Sequence, residues 1–320
     1  MLTGLACGVI IEKRRMLMKD YLNEINSQFP IRRRAEEKAK FLEYVKGELG
    51  EERVILETLE GKHNNIIIGD VESAKVIFTA HYDTPAASIV PNLMIPANKL
   101  IGTLYHFLYP LAMAVLSLFV ALSIGDVLEL DSSFSAALYA VLYFGLFFCT
   151  TRMISNRNNK NDNTSGVATV MSLAKEICDG RAAFVLFDNE EKGLLGSKAF
   201  NKAHTKLLSD KMIINFDCVG NGDQMVFIAK EGAELMEEYE QLKESVTSDA
   251  DFTAHYFPAK KTISNSDYKS FPCGVGVMAC SRGRIVKLYT GRIHTVRDTI
   301  AESKNVYFLT DAMVRFVEKL

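Results

Sequence analysis

Residues 182–197 read AAFVLFDNEEKGLLGS. Six apolar residues, Ala182–Phe187, stop abruptly at Asp188, Asn189, Glu190 and Glu191, and Gly193 and Gly196 then punctuate the next stretch. A short apolar run bounded by turn residues suits a strand covered on both faces. The residues that follow, 194–204, have helical spacing, so the stretch predicts strand, polar turn, helix. The alternation continues outward. A helical pattern at 165–178 precedes it, and a second apolar run, Met212–Phe216, follows. Upstream lie β-rich runs at 53–59, 64–68 and 75–80, separated by Glu-Gly-Lys and Gly-Asp turns. An amphipathic helix at 35–49 carries a stripe of Phe41, Leu42, Val45 and Leu49, and a last helix spans 303–317. Strands interleaved with helices predict an α/β fold, a three-layer sandwich around a mostly parallel mixed sheet.

Composition bounds the partners. The 320 residues hold 37 Lys and Arg against 39 Asp and Glu, a net charge of −2. That balance lacks the basic surplus that phosphate backbones demand, so no nucleic-acid partner is expected. Apolar residues at 48% and charged ones at 24% exclude a disordered chain. Six scattered cysteines (Cys7, Cys149, Cys178, Cys218, Cys273 and Cys280) read as free thiols of a reducing compartment. The apolar start at 2–11 is followed, not preceded, by the basic residues Lys13, Arg14 and Arg15, which is not the order of a secretory signal. Met16 and Met18 stand just before a helical segment, so residues 1–15 carry no targeting role in this reading.

The positive mean hydropathy, +0.05, has a local source. Residues 101–124 contain no acidic or basic charge, and 134–151 contain none either. As helices these runs would measure about 36 Å and about 27 Å, close to the roughly 30 Å of a bilayer's hydrocarbon core. A helix that is apolar all round is buried in protein or in lipid. The expectation is an inserted transmembrane helical hairpin at 99–151, with 1–98 and 152–320 forming one discontinuous domain. Lys99 precedes the first run, and Arg152, Arg157 and Lys160 follow the second, whereas the connection holds Asp126, Glu129 and Asp131. The positive-inside rule then places both feet, both termini and the globular part on the cytoplasmic side of a cell membrane crossed twice.

Chemistry in open α/β sheets collects at the carboxyl ends of strands. The run at 75–80 ends in His81-Tyr82-Asp83, Ala182–Phe187 in Asp188-Asn189-Glu190-Glu191, and Met212–Phe216 in Asp217. Asp162, within Asn161-Asp162-Asn163-Thr164-Ser165-Gly166, and His294, within Ile293-His294-Thr295, flank these. Each alone is a common surface or turn residue; together they form an oxygen- and imidazole-rich set without thiolate. Such a set suits Zn²⁺, and Co²⁺ or Mn²⁺ would also fit. Residues two apart on a strand share a face, so Asp83 is placed to accept the other N–H of His81. Neighbouring Glu190 and Glu191 can diverge, one toward a metal and one free to carry a proton.

The order and identity of these strings resemble the zinc aminopeptidases of peptidase clan MH, family M28. The resemblance also runs through Glu190-Glu191-Lys192-Gly193-Leu194-Leu195-Gly196-Ser197, Ser266-Asp267-Tyr268 with Phe271, and Asp298-Thr299. It implies two Zn²⁺ bridged by Asp162, with His81 and Asp217 completing one site and Glu191 and His294 the other. It further implies a peptide substrate with a free N-terminus docked beside the metals, and Ser266, Asp267 and Tyr268 along the substrate side. Metal ions of this kind lower the pKa of water from 15.7 to about 7, and Glu190 is expected to act as general base and then acid. The sequence departs from its relatives in the 78 residues between Asp83 and Asp162, where the apolar runs lie. Two other readings stay open. One is a non-catalytic peptidase-like membrane scaffold, although no ligand is missing. The other is a glutaminyl-cyclase-like acyltransferase, although such relatives use pocket tryptophans and this chain has none.

Overall fold

A computed structural model of the chain describes residues 18–151, 154–284 and 286–320. The apolar start at 2–11, Cys7, Met16 and Arg152 lie outside the described residues. Apart from single turns, the helices are α1 (Tyr21–Gln28), α2 (Ala35–Leu49), α3 (Lys99–Val127), α4 (Ser132–Thr151), α5 (Gly166–Glu176), α6 (Leu195–Ala203), α7 (Glu237–Ser245) and α8 (Ser303–Lys319). The strands are β1 (Val54–Leu59), β2 (His63–Ile68), β3 (Val76–His81), β4 (Ala86–Ala87), β5 (Asn92–Met94), β6 (Ile154–Ser155), β7 (Ala182–Phe187), β8 (Met212–Phe216), β9 (Gln224–Ala229), β10 (Thr253–Pro258), β11 (Gly274–Arg282) and β12 (Leu288–Ile293).

The main sheet runs β1-β2-β7-β3-β8-β11-β12-β5, with β9 also on β11 and β10 on β9. Its central strands β7, β3, β8 and β11 are mutually parallel, and antiparallel partners flank them. The expected mixed α/β sandwich is therefore present. Parallel strands must be covered on both faces, and alternation along β7 does this. Ala182, Phe184 and Leu186 enter the larger core, and Ala183, Val185 and Phe187 the smaller one on the opposite face. Phe78 of β3 stacks between Phe184 and Phe216, with ring centroids 5.9 and 6.1 Å away. Each such ring contributes on the order of 1.5–3 kcal/mol by leaving water. The stripe read from 35–49 is buried as expected: Phe41, Leu42, Val45 and Leu49 all face the larger core.

The strands beyond Asp217 extend the same sheet. β11 pairs with β8 along one edge and β9 along the other, and its end meets β12. β12 in turn pairs with the short β5 just before α3. Two helices long and apolar enough to cross a membrane, α3 and α4, leave the sandwich between β5 and β6. Only 11% and 0% of their most apolar windows are buried.

Candidate metal centre

Because β7, β3 and β8 are parallel neighbours, their carboxyl ends open side by side. His81 is the last residue of β3, Asp217 follows β8, and Glu190 and Glu191 lie in the tight turn after β7. His294 comes just after β12, and Asp162 sits in the irregular turn before α5. The fold brings these residues together. Asp162 presents one oxygen to each histidine: Oδ1 is 3.3 Å from His81 Nε2, and Oδ2 is 3.1 Å from His294 Nε2. Asp217 Oδ1 lies 3.8 Å from His81 Nε2, and Glu191 Oε2 lies 3.5 Å from His294 Nε2. Two triplets of donor atoms result, His81–Asp162–Asp217 and Asp162–Glu191–His294, each within 4.8 Å. Glu190 also reaches His81 and Glu191 within that distance.

His81 Nδ1 lies 3.1 Å from the backbone carbonyl of Asp83. A carbonyl only accepts, so Nδ1 carries a proton and Nε2 is the ring atom turned to the carboxylates. The Asp83 carboxylate also stands behind His81, 3.6 Å from Nδ1. It accepts as well the amide N–H groups of Glu190 (3.0 Å) and Glu191 (3.3 Å), fixing the turn that bears both acids. The turn is closed by Asn189 and Leu194, both in the left-handed region. Gly196 is required there, because a Cβ would lie 2.1 Å from the carbonyl oxygen of Asp188.

A ring of buried polar side chains holds the remaining turns. Asp298 accepts the N–H groups of Asn161 (3.1 Å) and Asp162 (2.9 Å). Asn163 accepts from Cys218 N–H, Ser165 Oγ from Val219 N–H, and Asn161 from Gly220 N–H, so the Asp162 turn clamps the chain just after Asp217. The fully buried Arg32 donates to Tyr82 O and Thr164 Oγ1, joining the His81 turn to the Asp162 turn. Lys38 pairs with Asp188 at the base of the glutamate turn. Sequence reading missed these braces. Asp298, Asp188, Asn161, Asn163 and Ser165 stand in the strings quoted above, but nothing in those strings shows a bracing role, and Arg32 and Lys38 lie outside them.

Electrostatics match a cation site that offers no fixed positive partner except histidine. Burial opposes charge on His294, but Glu191 and Asp162 prevail and push it up to about 9. Burial likewise disfavours a charged His81, yet Glu190, Asp162 and Asp217 raise it. Glu191 is pushed up to about 7, by burial first and Asp162 against it. Burial also raises Glu190, with Glu191, Asp267 and Asp217 adding to it. For Asp162, burial is outweighed by both histidines, which hold it low. The donor set fits Zn²⁺: oxygen and imidazole ligands at a strand-end mouth, with Glu191 Oε1 buried and lacking any hydrogen-bond partner.

The centre opens into a cavity of about 540 Å³. Ser266 and Tyr268 line it, as expected of the substrate side. Asp267 does not. It is fully buried, neither carboxylate oxygen makes a hydrogen bond, and burial drives it up to about 7. Unforeseen is Cys218, at positive φ on the cavity wall, with Sγ 3.1 Å from Asp217 Oδ1.

The family model of peptidase family M28 matches residues 156–313. No curated protein matches the sequence. Among solved structures, the LapA aminopeptidase of Legionella pneumophila is similar at a TM-score of 0.53 and 13% identity, over 93% of this chain and 69% of that one. A Zn-dependent exopeptidase from Parabacteroides distasonis reaches 0.53 at 14% identity, over 93% and 95%. Glutaminyl cyclase from Porphyromonas gingivalis reaches 0.55 at 13% identity, over 95% and 99%. At these identities the structural likeness is one of fold. The sandwich, the converging strand ends and the match across the later ligand-bearing strings agree: residues 156–313 of this chain match peptidase family M28.

Proposed function

We propose that the chain is a two-zinc aminopeptidase that removes N-terminal residues from peptides at the cytoplasmic face of a membrane. One observation carries the catalytic half of this reading: Asp162 turns one oxygen toward His81 and the other toward His294. Asp162 would bridge the ions, with His81 and Asp217 holding one and Glu191 and His294 the other. Zinc bound there supplies Lewis acidity toward a carbonyl and a lowered pKa for water. Glu190 is left as the proton carrier. Its carboxylate stands beside the ligand atoms on a turn pinned by Asp83, and it takes a proton from the attacking water and returns it to the leaving nitrogen. Ser266 and Tyr268 shape the wall against which the N-terminal residue packs.

The membrane half rests on α3 and α4, which expose Phe107, Phe119, Phe144 and other large apolar side chains. Contiguous apolar exposure on this scale marks an interaction surface, and the length and hydropathy of the pair suit a bilayer. Lys99 at the start of the pair and Arg157 and Lys160 after it, against Asp126, Glu129 and Asp131 around the connection, support the cytoplasmic orientation. In this reading 99–151 is a membrane insert in one discontinuous peptidase domain.

The test is hydrolysis of aminoacyl amides and peptides by purified full-length protein, with and without chelator, alongside zinc analysis. Expected are two zinc per chain and release of free amino acids that chelation abolishes. Conversion of N-terminal glutamine to a cyclic product would favour the cyclase instead. Zinc without any turnover would favour a scaffold.

A further inference from the structure

A second cavity, about 440 Å³, lies against the metal centre and is walled by the feet of the two apolar helices. Glu191, Lys192 and His294 line both cavities, as do Asn92 and His106, so the two are lobes of one continuous site. The lobe at the helices is aromatic: Tyr105 and Tyr109 come from α3, and Tyr143 and Phe147 from α4. Phe147 packs against two of the other rings, 6.2 Å from Tyr109 and 6.3 Å from Tyr143. Tyr105 donates to Pro91 O at 2.7 Å, and Tyr109 meets Thr150 Oγ1 at 2.5 Å, so the wall is held from both ends.

The feet are built into the site. Ile89 N–H bonds Thr150 O of α4, and Ser88 N–H bonds the carbonyl of His294 itself. Gly102 of α3 packs so tightly that a Cβ there would lie 2.7 Å from Ile263, a wall residue of the first lobe. The 29 residues of α3 span about 44 Å, some 14 Å more than the hydrocarbon core, so both its ends, Lys99 at one and Asp126 at the other, reach headgroup level. Tyr105 and His106 lie in the second turn from the Lys99 end, close to the interface where aromatic side chains concentrate in membrane proteins. Arg33 and Lys192, cations in the same lobe, suit headgroups and not hydrocarbon. The third, Lys38, is already paired with Asp188.

We propose that this aromatic lobe binds the apolar residues following the N-terminus of a peptide seated in the bilayer, so that substrate reaches the metal centre from the membrane interface. The proposal rests on the aminopeptidase reading and names its substrate class: peptides with an aromatic or aliphatic stretch after the first residue and a tail held by lipid. The first lobe takes the N-terminal residue, and the second takes those that leave with the product. A lobe of this volume falls within the 300–1,000 Å³ of ordinary ligand sites.

The experiment uses the full chain in vesicles, loaded with zinc, and three probes sharing one N-terminal residue: its aminoacyl amide, a soluble peptide with a polar continuation, and a lipid-anchored peptide with an apolar continuation. Binding of the two peptides is read separately on the Glu190→Gln protein by fluorescence anisotropy. The anchored peptide is expected to show at least a tenfold higher kcat/KM than the soluble one. Phe147→Ala should raise its KM at least tenfold with kcat within about twofold, and Phe147→Leu should fall between. Phe119→Ala, on the outer part of α3, should change neither. A thermal melt of each variant reports folding. Equal kcat/KM for both peptides, or an unmoved KM in folded Phe147→Ala, overturns the proposal. Tight binding of the anchored peptide by the aromatic lobe without hydrolysis of any probe upholds the lobe and overturns the aminopeptidase reading.

Discussion

The surroundings of the candidate metal centre and the α3–α4 pair obey opposite rules. Around the centre nearly everything polar is buried and partnered: His81 is 1% exposed, Asp298 2% and Asp162 3%, and each meets hydrogen-bond or ionic partners. Along the helices nearly everything apolar is exposed, with Phe119 at 70% and Val127 at 80%. Buried polar groups persist only when satisfied, and contiguous exposed apolar groups persist only when something other than water covers them. One region is fixed by partners within the chain; the other needs a partner outside it.

The strongest test of the first region is Glu190→Gln. Turnover should fall about 10²–10⁴-fold while bound zinc stays, because this change leaves the five proposed ligands intact. Metal analysis beside single-turnover rates checks it, and near wild-type turnover would remove Glu190 from its role. Asp298→Ala unties the amides of Asn161 and Asp162 and should weaken zinc affinity about 10–100-fold, measured by competition with a chromogenic chelator. Unchanged affinity would show that the turn holds itself.

Protonation sharpens the comparison further. In the metal-free protein His294 titrates at about 9, Asp298 at about 8, and Glu191 and Asp267 at about 7, all raised. The folded state therefore binds more protons than the unfolded one across roughly pH 4–9, and stability falls as pH rises through that window. Asp162 and Asp83, held low, act in the opposite sense only below about pH 4. The Tm of chelated protein should thus drop by several degrees from pH 5 to pH 9. Zinc binding at pH 7 should release protons, seen as a buffer-dependent calorimetric enthalpy. A flat Tm profile and a buffer-independent enthalpy would contradict the site. The smallest effect belongs to the second region: Phe119→Ala should shift stability in detergent by no more than about 0.5 kcal/mol. A larger loss would mean the side chain packs against protein.

Much of this architecture is legible in the residues because strand ends carry it. AAFVLF followed by DNEE announces both a buried strand and its chemical terminus, and the runs before His81 and Asp217 do the same. The strands after Asp217, and the short ones on either side of α3 and α4, are harder to read. β11 contains Gly274 and Gly276, β12 contains Gly291, and β4, β5 and β6 hold only two or three residues, too few for a period. The braces are invisible for a different reason. Asn163 acts on Cys218, Asp298 on Asp162 and Arg32 on Tyr82, over separations of 50 to 136 residues, and through backbone groups that every residue possesses.

β3 lies between β7 and β8, yet both neighbours are synthesised after α3 and α4. From the end of β3 to the end of β8 the ribosome must add 135 residues, which takes about 7–27 s at ordinary elongation rates. During that interval a strand that ends wholly buried waits with both edges open while the helical pair finds its place. Anchoring the nascent chain early would keep that strand away from other copies of itself until its own partners emerge.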